Sequence, residues 1–165
     1  MREEFTDILI DSRTGVSDTA GICTVQMPDQ LIACFTLNNQ SIEGAAAVVR
    51  SVVDQLPSDF KVYPIPTRID NSEVDKLRER WNLARQRFDD MLLSSANHTR
   101  SSTYWDTFQI PYIPKYSYEE VLASFANLPN DPRNINLYAY VKDISRRIFG
   151  VLFSVMAPTL NPSAR

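Results

Sequence analysis

The chain has 165 residues, of which 44% are hydrophobic, and a formal net charge of −3 from 17 basic and 20 acidic residues. This length suits one domain with a real core, and the charge gives no indication of a nucleic-acid surface. No uncharged stretch is long enough to span a membrane, and no basic segment followed by an apolar core opens the chain. We therefore expect a cytoplasmic protein with no membrane span.

The first apolar run predicts a buried strand that ends on an acid. Phe5, Ile8, Leu9 and Ile10 precede Asp11, and short apolar runs are typical of parallel strands covered on both faces. Ligands of open α/β sheets bind at the carboxyl edge, which makes Asp11 a candidate site residue. An acid that only solvates a strand end or caps a helix fits the same pattern.

The rest of the chain alternates strands with helices. Further strands are predicted at 31–35, 60–66 and 108–114, and helices at 42–56, 74–92, 117–125 and 137–148, with a short helix or structured loop at 18–27. Polar turns and loops are predicted at 36–40, 67–71, 94–103 and 128–134. This order predicts an α/β fold with a mainly parallel sheet and helices on both faces. We expect a single domain over residues 1–150 and a flexible tail at 151–165.

Cysteine and histidine usage does not support a metal site. Cys23 and Cys34 lie in apolar surroundings, and His98 is the only histidine. We therefore expect two buried free thiols and a solvated histidine in a loop, without zinc or a disulfide framework.

Several runs of sequence resemble one family of ATPases. They are Ile10–Asp18, which contains Asp11-Ser12-Arg13-Thr14-Gly15, then Phe35–Gly44 and Ile113–Ala123. The first is similar to the Walker B and switch II segment of deviant Walker P-loop ATPases, the ParA/MinD-like group. Together the runs resemble a bacterial subfamily whose glycine-rich loop is of the KGGVGR kind. The resemblance covers most of residues 5–148 and implies part of a P-loop NTPase fold, which is Rossmann-like.

The resemblance implies roles around ATP and Mg²⁺. Asp11 would orient a water on the nucleotide-bound Mg²⁺, which makes it both the catalytic residue and the metal residue, through water. The Gly15 N–H would meet the γ-phosphate, within a switch formed by residues 12–18. Arg13 would contact phosphate or a facing subunit, although a structural ion pair is equally consistent with its position.

The base side of the nucleotide is implied at two later places. Arg68 and Asp70 lie where the group contacts adenine, although the usual asparagine of that strand end is absent. The loop from Pro114 to Tyr116 lies where the group closes over the base. Tyr112 or Tyr116 would stack there, unless these rings only complete the edge of the core.

The chain departs from the family because it has no P-loop. Its four glycines, Gly15, Gly21, Gly44 and Gly150, form no phosphate-binding pattern. The P-loop precedes Walker B in the family, so we expect the chain to be the C-terminal portion of an ATPase. Apolar surface would then be exposed where the missing strand and helix pack. The expected partners are the missing N-terminal P-loop half or a homodimer partner, together with an unidentified protein, and the chain alone should not bind ATP tightly.

Two other functions fit the residues. One is a complete, non-catalytic α/β protein-interaction module that is indifferent to Mg-ATP. The other is a phospho-acceptor domain with Asp11 as the acceptor and Lys115 as its lysine.

Overall fold

The computed structural model describes residue 5 and residues 7–12, 26–57, 59–70, 72, 74–94, 101–114, 116 and 137–150. The chain forms two compact units, residues 1–112 and 113–165. The prediction of one domain over residues 1–150 stays a prediction, and each unit is described by itself.

The first unit contains a parallel sheet. Strand β1, Gln30–Thr36, pairs with β2, Lys61–Thr67, in a register that aligns Gln30 with Lys61 and Thr36 with Thr67. The other side of β2 continues into a parallel bridge between Ile69 and Pro111. These pairings confirm the α/β class and the strands predicted at 31–35 and 60–66. The strand predicted at 108–114 is reduced to this bridge.

Strand β2 contains two prolines without losing its ladder to β1. The Pro64 carbonyl accepts the Tyr104 hydroxyl at 3.0 Å, and the Pro66 carbonyl accepts the Ile110 N–H at 2.9 Å. Both carbonyls therefore point away from β1. The N–H and C=O groups of one strand residue point to the same side, so the backbone nitrogens of Pro64 and Pro66 also face away from β1. The missing donors remove no bond to β1, which explains why the prolines are tolerated inside a buried strand.

Helix α1, Asn39–Gln55, covers one face of the sheet, and its limits follow from local chemistry. Its buried residues recur at helical spacing: Ile42, Ala46, Val49 and Val52. The Asn38 side chain accepts the Ser41 N–H at 2.8 Å, which caps the first turn. The helix ends before Pro57, as predicted.

Helices α2, Val74–Ser94, and α3, Ser101–Thr107, complete the described core of this unit. Phe88 is fully buried and stacks on Phe35 with ring centroids 4.9 Å apart. Trp105 packs against Phe88 and donates its indole N–H to Asp89 at 2.9 Å. Helix α2 confirms the helix predicted at 74–92. The loop predicted at 94–103 is wrong from residue 101 onward, because burial of Tyr104 and Trp105 outweighs the low helix propensity of the Ser/Thr start.

The second unit contains helix α4, Leu137–Phe149, at the predicted place. Ile144 and Ile148 are buried, and Gly150 ends the helix with φ 69°, a conformation suited to glycine. The helix predicted at 117–125 and the loop at 128–134 lie outside the described residues, as do the tail at 151–165, Cys23, His98 and most of the element predicted at 18–27.

The prediction of a buried first strand is wrong. Residues 7–12 have no regular secondary structure, and Leu9 is 74% exposed. An apolar run becomes a strand only beside a partner strand, and within the described residues the sheet consists of β1 and β2. Cys34 is free but exposed, not buried, although atoms around its sulfur raise the pKa of the thiol by desolvation. None of the described helices is long and apolar enough to cross a membrane.

Candidate functional site

The carboxyl edge of the sheet brings together the ends of β1 and β2. Thr36 and Thr67 are register partners, so the turns that follow the two strands start side by side. Because α1 begins after β1, its N-terminus lies at the same edge. Ligands of open parallel sheets bind in this position, and we describe it as the candidate site.

The turn after β1 is held by hydrogen bonds between its own side chains and backbone. The Thr36 N–H donates to Ser41 Oγ at 3.0 Å, and the Asn38 amide donates to Thr36 Oγ1 at 2.7 Å. The Asn38 N–H also donates to the Thr36 carbonyl at 2.8 Å. The side chains of the turn are therefore tied to its own backbone in the absence of a ligand.

The turn after β2 is locked to β1 and strained at its first residue. The Thr67 hydroxyl donates to the Phe35 carbonyl at 3.2 Å. Arg68 then adopts φ 54°, in the left-handed region that residues other than glycine rarely occupy. Its guanidinium lies over the Tyr112 ring, 5.2 Å from the centroid. Such strain is typical of ligand sites and persists only where neighbouring bonds enforce it.

Those neighbouring bonds surround Ile69. Its N–H donates to the Ile110 carbonyl at 3.2 Å, its carbonyl accepts the Tyr112 N–H at 2.8 Å, and its side chain is buried. Asp70 follows at the surface, where its Oδ1 accepts the Ser72 N–H at 3.0 Å. One carboxylate oxygen of Asp70 thus organises the entry to α2.

A charged pair flanks the first turn of α1. Glu43 accepts from Arg87 of α2 through both carboxylate oxygens, each 2.9 Å from the guanidinium Nε. This hydrogen bond lowers the pKa of the carboxyl, with smaller contributions from the charges of Arg87 and Arg50. Arg80 donates to the Asn39 side chain beside the same turn. These contacts fix α2 against α1 next to the edge.

The sequence-predicted site residues are only partly brought together. Arg68 and Asp70 lie at the edge, with Tyr112 beside Arg68. Asp11 is exposed, and among the described contacts none joins it to Arg68 or Asp70. Arg13 and Gly15 lie outside the described residues. Pro114 and Tyr116 belong to the second unit, where the Tyr116 N–H donates to the Ile113 carbonyl at 3.2 Å.

Sequence reasoning missed the side chains of the first turn as part of the site. The sequence predicts Thr36, Asn38 and Ser41 only as parts of a polar turn followed by a helix. The signal was the Asn-x-x-Ser spacing directly after an apolar strand, which is typical of a capped helix start at a sheet edge.

The described part of the chain contains no cluster of three or more histidine, cysteine, aspartate or glutamate residues that could hold a metal ion. A magnesium ion carried by a nucleotide needs fewer protein ligands, since phosphates and waters supply the rest. The carboxylate of Asp11 suits such a water-mediated contact chemically. Because Asp11 is exposed and residues 7–11 are not part of the sheet, it could make this contact only if residues 7–11 paired with the sheet.

No protein-family model matches this chain, and comparisons with the curated proteins and with the solved structures found no match.

Proposed function

We propose that this chain contributes the Walker B, switch II and adenine-side elements of a ParA/MinD-like ATPase, in which ATP hydrolysis is coupled to partner binding. The proposal rests on the resemblance of the three runs described above. The observation that supports it best is the carboxyl edge itself, where parallel strands place Arg68 and Asp70 beside a preorganised turn and a helix N-terminus.

A second observation agrees with the proposal. An ATPase portion without its P-loop strand and helix should expose apolar surface. Large exposed apolar side chains occur on the N-terminal run and on β1, with exposed fractions of 60% for Phe5, 74% for Leu9 and 37% for Ile32. Strand β1, with the sequence QLIACFT, carries no charge or proline to protect an edge. A further parallel strand is the element that would cover this edge.

The proposed mechanism assigns this chain three tasks. Asp11 would hold a water on a nucleotide-bound Mg²⁺ once residues 7–11 had joined the sheet. The Gly15 N–H would contact the γ-phosphate, and the switch from Ser12 to Asp18 would carry a change in that contact to a partner. Bound Mg²⁺ would neutralise the charge that develops on the phosphates.

The base side is assigned to the strained turn after β2. The Tyr112 ring offers a stacking surface next to the guanidinium of Arg68, and Asp70 offers a carboxylate oxygen to the amino group of adenine. By the family resemblance, the loop of Pro114 and Tyr116 would be the one that closes over the base. Arg13 would meet phosphate or a facing subunit.

The test requires the reading frame upstream of Met1. If that frame encodes a strand and a Lys-Gly-Gly-type loop, the extended chain should bind a fluorescent ATP analogue and hydrolyse ATP, whereas residues 1–165 alone should bind weakly or not at all. Asp11→Ala in the extended chain should abolish turnover with an unchanged circular dichroism spectrum. Asp7→Ala, in the same exposed run, is the matched control and should keep turnover. Unchanged turnover in D11A would refute the magnesium role, and an extended chain that does not bind ATP would refute the whole proposal.

A second candidate function is a non-catalytic protein-interaction module. The exposed N-terminal run favours it, since Phe5 and Leu9 are both largely exposed in a run that also contains the exposed acids Asp7 and Asp11. Exposed apolar groups next to charged ones are typical of interaction sites. A stop codon directly upstream of Met1, with cooperative unfolding of the chain that Mg-ATP does not shift, would favour this function over the ATPase.

A further inference from the structure

A stripe along α2 combines exposed apolar surface with uncompensated positive charge. It is lined by Val74, Leu77, Arg78, Trp81, Asn82 and Arg85, which enclose a shallow groove of about 280 Å³. We call these residues the α2 stripe. None of them belongs to the carboxyl edge, and the proposed function assigns them no role.

The apolar part of the stripe is partly open to solvent. Val74 is 62% exposed, a large fraction for a β-branched aliphatic side chain, and Trp81 is only partly covered. The covered side of Trp81 meets the edge of the Trp105 ring, with centroids 5.8 Å apart. Trp81 is thus anchored against the core and keeps part of its side chain exposed, a combination typical of aromatic anchors in interfaces.

The charge on the stripe comes from Arg78 and Arg85. Neither has an ion pair among the described residues, whereas Arg87 of the same helix pairs with Glu43. The guanidinium of Arg85 lies over the Trp81 ring at 5.7 Å from its centroid, which holds it in place next to the groove. Two arginines that flank a half-covered tryptophan favour a partner with both carboxylates and an apolar side chain.

The spacing defines the partner further. Arg78 and Arg85 are two helical turns apart, or about 10 Å along α2, and Trp81 lies between them. Carboxylates at positions i and i+7 of a second helix have the same separation, and a leucine at i+3 or i+4 then faces the groove. Asp75 and Glu79 border the stripe on the neighbouring face, where they would repel a continuous polyanion such as nucleic acid.

We propose that the α2 stripe is the docking site for an amphipathic acidic helix of a partner protein. The partner places two carboxylates on Arg78 and Arg85 and an aliphatic side chain against Trp81 and Val74. This inference does not depend on the proposed ATPase function.

The probe is a fluorescein-labelled helical peptide with glutamates at i and i+7 and leucines at i+3 and i+4. A control peptide has the same composition, with the glutamates moved to the opposite face. Fluorescence anisotropy with the full chain should show saturable binding of the first peptide that weakens with added salt. R78E/R85E should lower the affinity at least about tenfold, since each reversal replaces an attraction by a repulsion. R50E/R146E changes the net charge equally at two other exposed arginines and should leave the affinity unchanged.

Trp81→Ala should weaken binding without affecting the charge. Circular dichroism and the urea midpoint of each variant show whether it is folded. Equal binding of both peptides, equal binding by R78E/R85E, or no saturable binding would overturn the proposal. So would stripe-dependent binding of labelled single-stranded DNA in place of the peptide, or a dimer of the chain in sedimentation experiments that R78E/R85E dissociates.

Discussion

The Tyr104 hydroxyl provides a direct test of the core of the first unit. Tyr104 is 1% exposed, and its hydroxyl donates to the Pro64 carbonyl at 3.0 Å. This carbonyl points away from β1, so the tyrosine links α3 to the middle of β2. Tyr104→Phe removes the oxygen and keeps the ring stacked on Phe108, where the centroids are 4.5 Å apart.

At neutral pH the variant should lose about 1–2 kcal/mol of unfolding free energy, because the buried Pro64 carbonyl loses this donor. The difference should shrink at high pH. Burial raises the pKa of Tyr104 well above its usual value, and the nearby Tyr63 and Cys34 add to the shift. The unfolded chain releases this proton near pH 10. The stability contributed by the neutral hydroxyl is therefore complete below about pH 10 and is lost as the pH rises toward the higher pKa of the folded chain.

Linkage gives the size of that loss. At pH 11 the ionised form of Tyr104 in the unfolded chain outnumbers the neutral form about tenfold. This ionisation stabilises the unfolded chain and so lowers the unfolding free energy of the wild type by about 1.4 kcal/mol. Phenylalanine has no such proton. The wild type and Y104F should therefore be nearly equal in stability at pH 11.

Urea unfolding followed by tryptophan fluorescence suits this test, since Trp105 packs edge-on against Tyr104 at 5.2 Å. The matched control is Tyr140→Phe on α4. The Tyr140 side chain is half-buried and makes no hydrogen bond with the described residues, so this variant should cost less than about 0.5 kcal/mol at pH 7. A constant difference between the wild type and Y104F from pH 7 to pH 11 would refute the linkage argument. No difference at pH 7 would refute the role of the hydrogen bond.

Three further variants test the core, the cap and the strained turn. Phe88→Ala should destabilise the first unit by about 3–5 kcal/mol in urea unfolding, because the fully buried ring contacts both Phe35 and Trp105. The control Val48→Ala, on the exposed side of α1, should stay within about 0.5 kcal/mol of the wild type in the same assay. Asn38→Ala should cost about 1 kcal/mol through loss of the N-cap, whereas Asn38→Asp should restore the urea midpoint. Arg68→Gly should change stability by less than about 1 kcal/mol, since relief of the left-handed strain offsets the lost contact with Tyr112. In the extended chain the same variant should weaken binding of the ATP analogue, and unchanged affinity would argue against Arg68 on the base side.

The elements that the sequence predicts well are those whose packing is local. Ile42, Ala46 and Val49 define one face of α1 and Pro57 marks its end, so the prediction of this helix needs no knowledge of the sheet. Its start is predicted three residues late, because residues 36–40 read as a polar turn, whereas the helix begins at Asn39 after the cap residue Asn38. Helix α3 was missed for the opposite reason. Its Ser/Thr start favours a loop, and only the contacts of Tyr104 and Trp105 with distant residues make it a helix. The left-handed conformation of Arg68 could not be predicted from the sequence either, because it is enforced by bonds of Ile69 to residues 110–112.

The predictions for the candidate site succeed or fail for the same reason. Arg68 and Asp70 were placed at a strand end by an apolar run followed by a polar turn, and the structure has them there. Asp11 was placed by the same pattern, yet its segment is exposed. The two runs differ in their neighbours: β2 pairs with β1 on one side and bonds to residues 110–112 on the other, whereas the N-terminal run has no strand partner among the described residues. An apolar run therefore predicts a strand only together with the edge that receives it, and β1 offers an uncharged edge of this kind. The strand that covers that edge bears on the two proposed functions. A strand of the same ATPase would extend the sheet of the proposed nucleotide site, whereas a strand from another protein would make the same edge an interface.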